Sequence, residues 1–216
     1  MRIGIAGAHG QIARLITRML TARGDEVVGI IRNPGQIEDI QADGARPMVC
    51  DLEVVADAEL LEVTEGLDGF VFAAGAGPGS GIDRKYTVDH KASDRCVSAC
   101  EANGVSRFVQ ISSMGAGSPG GGDDVFSHYL RAKAAAEQTL RDSGLAWTIL
   151  RPGRLTNAAG DDHVTIAAEV ARGEIPRADV AATVVALLDR PGLAGLVLEE
   201  VSGPDSITTC LDRLQA

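Results

Sequence analysis

Ile3-Gly4-Ile5-Ala6-Gly7-Ala8-His9-Gly10-Gln11-Ile12-Ala13 reads as an apolar strand, a glycine turn and the start of an amphipathic helix, in that order. The order suits a bound pyrophosphate. Gly7 has access to backbone conformations closed to other residues, and Gly10 lets the main chain approach phosphate oxygens closely. A helix beginning near Gln11 aims its unpaired N–H groups and positive dipole end at an anion. Tight turns use the same letters, so the strand before and the helix after give the stretch its meaning.

Outward from that turn, apolar runs alternate with helical patterns almost to the last residue. Strands are expected at Arg2–Ala6, Glu26–Ile31, Arg46–Val49, 69–73, 108–112, 147–150 and 196–201. Ile12, Leu15, Ile16, Met19 and Leu20 recur at three- and four-residue spacing and form one helical stripe. Residues 88–103 and 129–143 read as two further helices, the second stopped at Gly144, and 177–189 as another, closed off by Pro191. The strands are continuously apolar rather than alternating. That pattern means burial on both faces, hence a parallel sheet with helices on each side.

The chain has 216 residues, enough for one well-packed α/β domain and short for two. A formal net charge of -10 argues against nucleic acid and anionic membranes as partners, and 3% aromatic residues leave little for base stacking. The longest apolar run, residues 180–188, falls short of the roughly 20 residues that span a bilayer. His9 and Gly10 break the first apolar segment too early for a signal peptide. Cys50, Cys96, Cys100 and Cys210 form no CxxC pair and no zinc-spaced cluster, so no metal is expected. Cys96 and Cys100 share a helix face as two buried thiols or a redox pair. A cytoplasmic protein in a reducing compartment is expected.

Two glycine-rich stretches interrupt the rhythm: 75–81 after the fourth strand and 115–122 after the fifth. Both leave the carboxyl end of a strand, where open α/β sheets bind ligands, although surface loops have the same composition. Arg32 and Asn33 end the second strand, where a fold preferring NAD places a carboxylate for the ribose 2′-hydroxyl. A planar cation there suits a 2′-phosphate, the alternative being a solvated arginine in a turn. Asp51-Leu52 follows the third strand: either an acceptor and an apolar cover for adenine, or an acidic helix cap.

Tyr129-Leu130-Arg131-Ala132-Lys133 carries the strongest catalytic signal. Residues four apart share a helix face, so the ammonium lies beside the phenol, and a nearby positive charge eases proton transfer. With so few tyrosines and lysines in the chain, the pairing is a rare accident, although a surface tyrosine beside a helix lysine looks the same. Ser112-Ser113 ends the fifth strand as a turn former or as a hydroxyl for a substrate carbonyl.

Gly7-Ala8-His9-Gly10, Arg32-Asn33, the run 108–113, Tyr129 with Lys133, Ser143-Gly144-Leu145 and the run 148–155 occur in one order, with 176–181 after them. Over nearly the whole chain the combination resembles the atypical short-chain dehydrogenase/reductases, notably their NmrA-like and biliverdin-IXβ/flavin reductase-like members. The resemblance implies a doubly wound, mostly parallel α/β sheet of Rossmann type over 1–216, with a small substrate-side portion from about residue 152. It implies NADP, with NAD as the alternative, held at the pyrophosphate by Gly7, His9, Gly10, Gln11 and Ile12. Arg32 and Asn33 would meet the 2′-phosphate, Asp51 and Leu52 the adenine, and Ala73, Ala74 and Gly75 the adenosine side. Ser112 would lie beside the cofactor, Lys133 would reach the nicotinamide ribose, and Pro152, Gly153, Arg154 and Leu155 would wrap the nicotinamide. Tyr129 would donate a proton and Ser113 polarise the acceptor. Three departures stand out. Ala13 replaces the last glycine of the turn, and Gln36 stands where a second basic residue often helps hold NADP. Tyr129 with Lys133 form a pair that many flavin- and biliverdin-type relatives lack, so the substrates of those relatives do not carry over directly.

The expected activity is hydride transfer to a small carbonyl, quinone or flavin-like acceptor, by a monomer or homodimer. A non-enzymatic NADP-binding sensor of NmrA type is the alternative. A nucleotide-sugar epimerase or dehydratase fits less well, since too few residues follow Arg151 for a substantial substrate domain.

Overall fold

Residues 3–13 form the strand, turn and helix that their order requires: β1 (Arg2–Ala6) delivers the chain to Gly7 and α1 (Gln11–Ala22) leaves from Gly10. The computed structural model describes residues 1–77 and 79–215; Pro78, inside the first glycine-rich loop, and Ala216 lie outside the described residues. The chain continues through β2 (Glu26–Ile31), α2 (Ile37–Ala42), β3 (Arg46–Val49), α3 (Asp57–Thr64) and β4 (Gly69–Phe72). Next come α4 (Ile82–Arg84), a π-helical stretch Lys85–Lys91, α5 (Ala92–Ala102), β5 (Arg107–Ile111), α6 (Val125–Arg141) and β6 (Trp147–Pro152). Then follow β7 (Arg154–Thr156), β8 (His163–Ala167), β9 (Glu174–Pro176), α7 (Arg177–Leu188), β10 (Leu196–Ser202), β11 (Asp205–Ser206) and α8 (Ile207–Gln215).

The main sheet runs β11-β8-β10-β6-β5-β4-β1-β2-β3, and β7 pairs with β9 separately. From β3 to β10 every pairing is parallel; β8 joins β10, and β11 joins β8, antiparallel. The chain winds outward from β1 both ways, to β2 and β3 on one side and to β4, β5 and β6 on the other. A crevice therefore opens beyond the carboxyl ends of β1 and β4, where the connections diverge. This is the expected doubly wound, mostly parallel α/β sheet.

Side-chain alternation builds a core on each face. Ile3, Ile5, Val71 and Val109 meet Ile16 and Leu20 of α1 and Val180, Val184 and Leu187 of α7. Phe70, Phe72 and Phe108 meet Leu60 of α3, Cys96 and Cys100 of α5 and Leu140 of α6. The Phe70 and Phe108 rings stack with centroids 5.3 Å apart. All four cysteines are free and buried. Burial pushes the Cys50 thiol up to about 11 and the thiols of Cys96 and Cys100 upward too, so thiolate is scarce near neutrality. Among the described residues no helix is long and apolar enough to cross a membrane.

Several elements differ from the sequence reading. The helix expected from residue 129 begins at Val125, because the Asp124 carboxylate accepts the N–H groups of Phe126 and Ser127 and caps it. It ends at Arg141, before Gly144. Of the helix expected over 88–103, residues 88–91 belong to the π-helical stretch and the α-helix runs over Ala92–Ala102, with α4 ahead of both. The short strands β7, β8, β9 and β11, and helices α2, α3 and α8, were not anticipated.

Gly7 sits at φ 73°, and a Cβ added there would stand 2.6 Å from the Ala74 Cα. Both the dihedral and the backbone clash oppose a side chain. Gly7→Ala should cost about 2–4 kcal/mol, combining the left-handed penalty with overpacking. In calorimetry that is a fall in the melting midpoint on the order of 10 °C. Unchanged melting would mean that the turn shifts freely.

Candidate functional site

Two cavities, of about 270 and 600 Å³, lie along the carboxyl edge of the sheet and share Gly10, Ala73, Ala74 and Gly75. Together they make one cleft across the crevice between β1 and β4. At its centre the N-terminus of α1 faces in. Gly10 is the cap residue, no side chain occupies the first-turn N–H groups, and no acidic residue stands in that turn. The main-chain donors and the dipole are thus left for an anion.

The smaller cavity runs from Gly7, His9 and Gly10 to Arg32, Asp51 and Leu52. Leu52 is buried and forms an apolar wall. Asp51 Oδ1 accepts the Glu53 N–H at 3.0 Å, closing a local turn well before α3 rather than capping that helix. Arg32 is exposed and pairs with Glu53 at 3.5 Å. The side chain of Asn33 turns back to accept the Gly35 N–H, outside the cavity-lining set. His9 Nε2 meets Asp39 at 2.8 Å while Gln36 reaches His9 Nδ1 at 3.1 Å, a polar bracket on the outer side of the phosphate turn. The hydrogen bond from His9 and the charge of Arg14 hold the Asp39 carboxyl below its ordinary value.

The larger cavity takes in Gln11, Ile12, Tyr129, Lys133, Pro152 and Leu155. Two ammonium groups approach the Tyr129 ring, Lys85 Nζ at 5.5 Å and Lys133 Nζ at 5.8 Å from its centroid. Phe126 tilts against the ring at 5.8 Å and stands exposed at the rim. Lys133 is buried: its Nζ donates to the Ile111 carbonyl at 3.2 Å and lies 3.4 Å from Asp89 Oδ1. Asp89, also buried, accepts the Ala76 N–H at 3.1 Å, which fastens the start of the first glycine-rich loop. Lys85 Nζ donates to the Gly77 carbonyl at 2.9 Å.

Sequence reasoning missed Lys85, Asp89, Glu53 and Arg84. Lys85 and Asp89 are four apart, a spacing that could have drawn notice, but the helix was expected to begin only at 88.

The strand-end serines separate. Ser112 lines the cleft, and its hydroxyl donates to Glu137 Oε1 at 2.6 Å. Glu137 also receives Arg151 and Arg141, a buried network in which the Glu137 hydrogen bond raises the Arg151 guanidinium. Ser113 is not among the cleft-lining residues, and its hydroxyl turns to the Met114 carbonyl. Of the run 152–155, Pro152 and Leu155 line the cleft. Arg154 points to solvent with Glu174 as partner, and Gly153 gives its N–H to the Glu200 carbonyl at 2.8 Å.

A family model described as NAD(P)H-binding matches residues 7–191. The chain is 30% identical over 215 residues to a Bacillus subtilis protein named uncharacterized sugar epimerase YhfK, covering 99% of this chain and 100% of that one. A solved structure, a putative NAD-dependent epimerase/dehydratase from Bacillus halodurans, superposes with a TM-score of 0.92 at 31% identity and 99% coverage of both chains. A Streptomyces griseus (4-alkanoyl-5-oxo-2,5-dihydrofuran-3-yl)methyl phosphate reductase is 30% identical over 207 residues, which cover 90% of this chain and 69% of that one.

Proposed function

The chain belongs to the NAD(P)H-binding family, and on that premise we propose that it is an NADPH-dependent reductase of a small carbonyl or conjugated acceptor. One observation carries the reading: a single cleft joins the open N-terminus of α1 to a tyrosine whose ring centroid lies 5.5 and 5.8 Å from two lysine ammonium groups. Gly7, Gly10, Gln11 and Ile12 fit a pyrophosphate, since main-chain donors converge there and no side chain fills the turn. Arg32 fits a 2′-phosphate, with Leu52 against the adenine and Ala73 to Gly75 along the adenosine. Lys133, Pro152 and Leu155 would hold a reduced nicotinamide, which would supply a hydride.

This chain's own residues then handle the proton and the geometry. Tyr129 hydrogen-bonds the acceptor oxygen and delivers its proton as negative charge develops there. Lys133 and Lys85 stabilise the phenolate left behind, and Lys133, fixed by the Ile111 carbonyl and Asp89, orients the ribose. Ser112, tied to Glu137, shapes the wall behind them. Phe126 and Leu155 keep water from the acceptor.

The elements after β7 argue against a nucleotide-sugar epimerase. β8, β10 and β11 extend the main sheet, while α7 and α8 cover its α1 face, so these elements build the sheet and its core rather than a lobe around a second nucleotide. The relative named a reductase supports hydride transfer to an acceptor.

The test has two arms. Calorimetric titration should give NADPH a dissociation constant about ten- to a hundredfold below that of NADH, the range of charge-assisted contacts, with Arg32→Ala narrowing the gap. A panel of carbonyl, quinone and flavin acceptors should contain at least one that oxidises NADPH catalytically. Intact NADPH binding with no acceptor turned over would favour a sensor.

A further inference from the structure

Arg32 and Arg84 enter the smaller cavity from different elements, one just beyond β2 and the other at the end of α4. They converge on one carboxylate oxygen: Glu53 Oε2 lies 3.5 Å from Arg32 Nη1 and 2.6 Å from Arg84 Nη2. The other oxygen, Oε1, accepts the Thr87 hydroxyl at 2.6 Å, and the Glu53 main chain is pinned by Asp51. Burial works to raise the Glu53 carboxyl, but the hydrogen bonds from Arg84 and Thr87 and the charges of both arginines outweigh it and hold the group below its ordinary value. Glu53 is therefore a resident anion.

Each guanidinium carries five N–H donors and spends one on this carboxylate. An oxygen of a phosphate placed where Glu53 Oε2 stands would be within reach of both, and a phosphate has more charge and more acceptor oxygens than a carboxylate to hold them. We propose that Arg84 is the second cation of the 2′-phosphate site and that Glu53 is the anion the phosphate displaces. The inference rests on the NADP reading above. Gln36 leaves the position after β2 without its second basic residue, and Arg84 supplies that charge from across the cavity. The phosphate thereby ties the far end of the 75–84 segment to β2.

Adenosine 2′,5′-bisphosphate and 5′-AMP serve as probes in calorimetry, independent of any turnover. The wild type should bind the bisphosphate at least about tenfold tighter. Arg84→Ala should weaken the bisphosphate about ten- to thirtyfold and leave 5′-AMP unmoved, while Arg84→Lys keeps most of the affinity. Glu53→Gln keeps an acceptor for Thr87, removes the competing charge and should tighten the bisphosphate. Equal losses for both probes in Arg84→Ala, or no loss, would overturn the role of Arg84. Weakening in Glu53→Gln would overturn the displacement. A wild type that does not distinguish the two probes would remove the NADP reading itself, and the inference with it. Thermal melting of each variant checks that the fold is intact.

Discussion

Phenylalanine in place of Tyr129 should lower turnover of the best acceptor by about 100- to 10,000-fold, the range spanned by a positioned general acid. NADPH affinity should stay close to that of the wild type. The substitution is clean because the ring does the packing. Phe126 and both ammonium groups contact the ring face, at 5.5 to 5.8 Å, and a phenyl group keeps those contacts. Only the proton-bearing oxygen is lost. Lys133→Met is a poorer test, because it leaves Asp89 buried without its cation and frees the Ile111 carbonyl, so lost activity would be mixed with lost stability. Stopped-flow or steady-state oxidation of NADPH measures the outcome. Undiminished turnover in Tyr129→Phe would remove the acid role and leave a simple hydride donor of the flavin or quinone type.

How far such a site is legible in sequence depends on how local its physics is. β1, β2 and β3 begin and end where the apolar runs do, and β4 and β5 fall within one residue of expectation. A parallel strand buried on both faces announces itself without tertiary information. The phosphate turn and the Tyr129–Lys133 pair are equally local, a backbone requirement in one case and a helical repeat in the other. β8 is different. Its alternation of His163, Val164, Thr165, Ile166 and Ala167 is a two-residue period, but pairing with β10 decides that it becomes a strand. The start of α6 was marked by Asp124, and the glycines before it masked the cap. Glu53, Arg84, Lys85 and Asp89 act through contacts that bring α4 and the π-helical stretch against the cleft. No spacing rule joins residue 53 to residue 84. Nor does one tell that Ser112 faces Glu137 while the Ser113 hydroxyl turns to the Met114 carbonyl.

Stability should fall as pH rises from about 5 to 8, and Glu200 should be the main cause. This residue on β10 has no exposure to solvent. Thr183 of α7 donates to its Oε1, while its Oε2 and the Oδ2 of nearby buried Asp179 have no partner among the described residues. Burial pushes the Glu200 carboxyl up to about 8, the Thr183 hydrogen bond works the other way, and the charge of Asp179 adds to the rise. An acid raised above its unfolded value of 4.5 takes up its proton more readily in the native state. Its unfavourable contribution is therefore absent below the unfolded value, grows as pH climbs through the interval, and levels off above the native one. The full shift sets a ceiling of about 5 kcal/mol. Water reaching the ionised group would bring it nearer to 2–3 kcal/mol, or a fall of about 5–10 °C in the melting midpoint between pH 5.5 and 8.5. Glu200→Gln keeps the acceptor for Thr183 and cannot ionise, so its melting curve should be flatter with pH and lie above the wild type at pH 8.5. The Glu200 carbonyl holds the Gly153 N–H, and Asp179 Oδ1 holds the Asp162 N–H at 3.1 Å, so the two residues of this buried acidic pair also fasten the chain on both sides of Leu155. Parallel melting profiles for the two proteins across this range would sink the assignment.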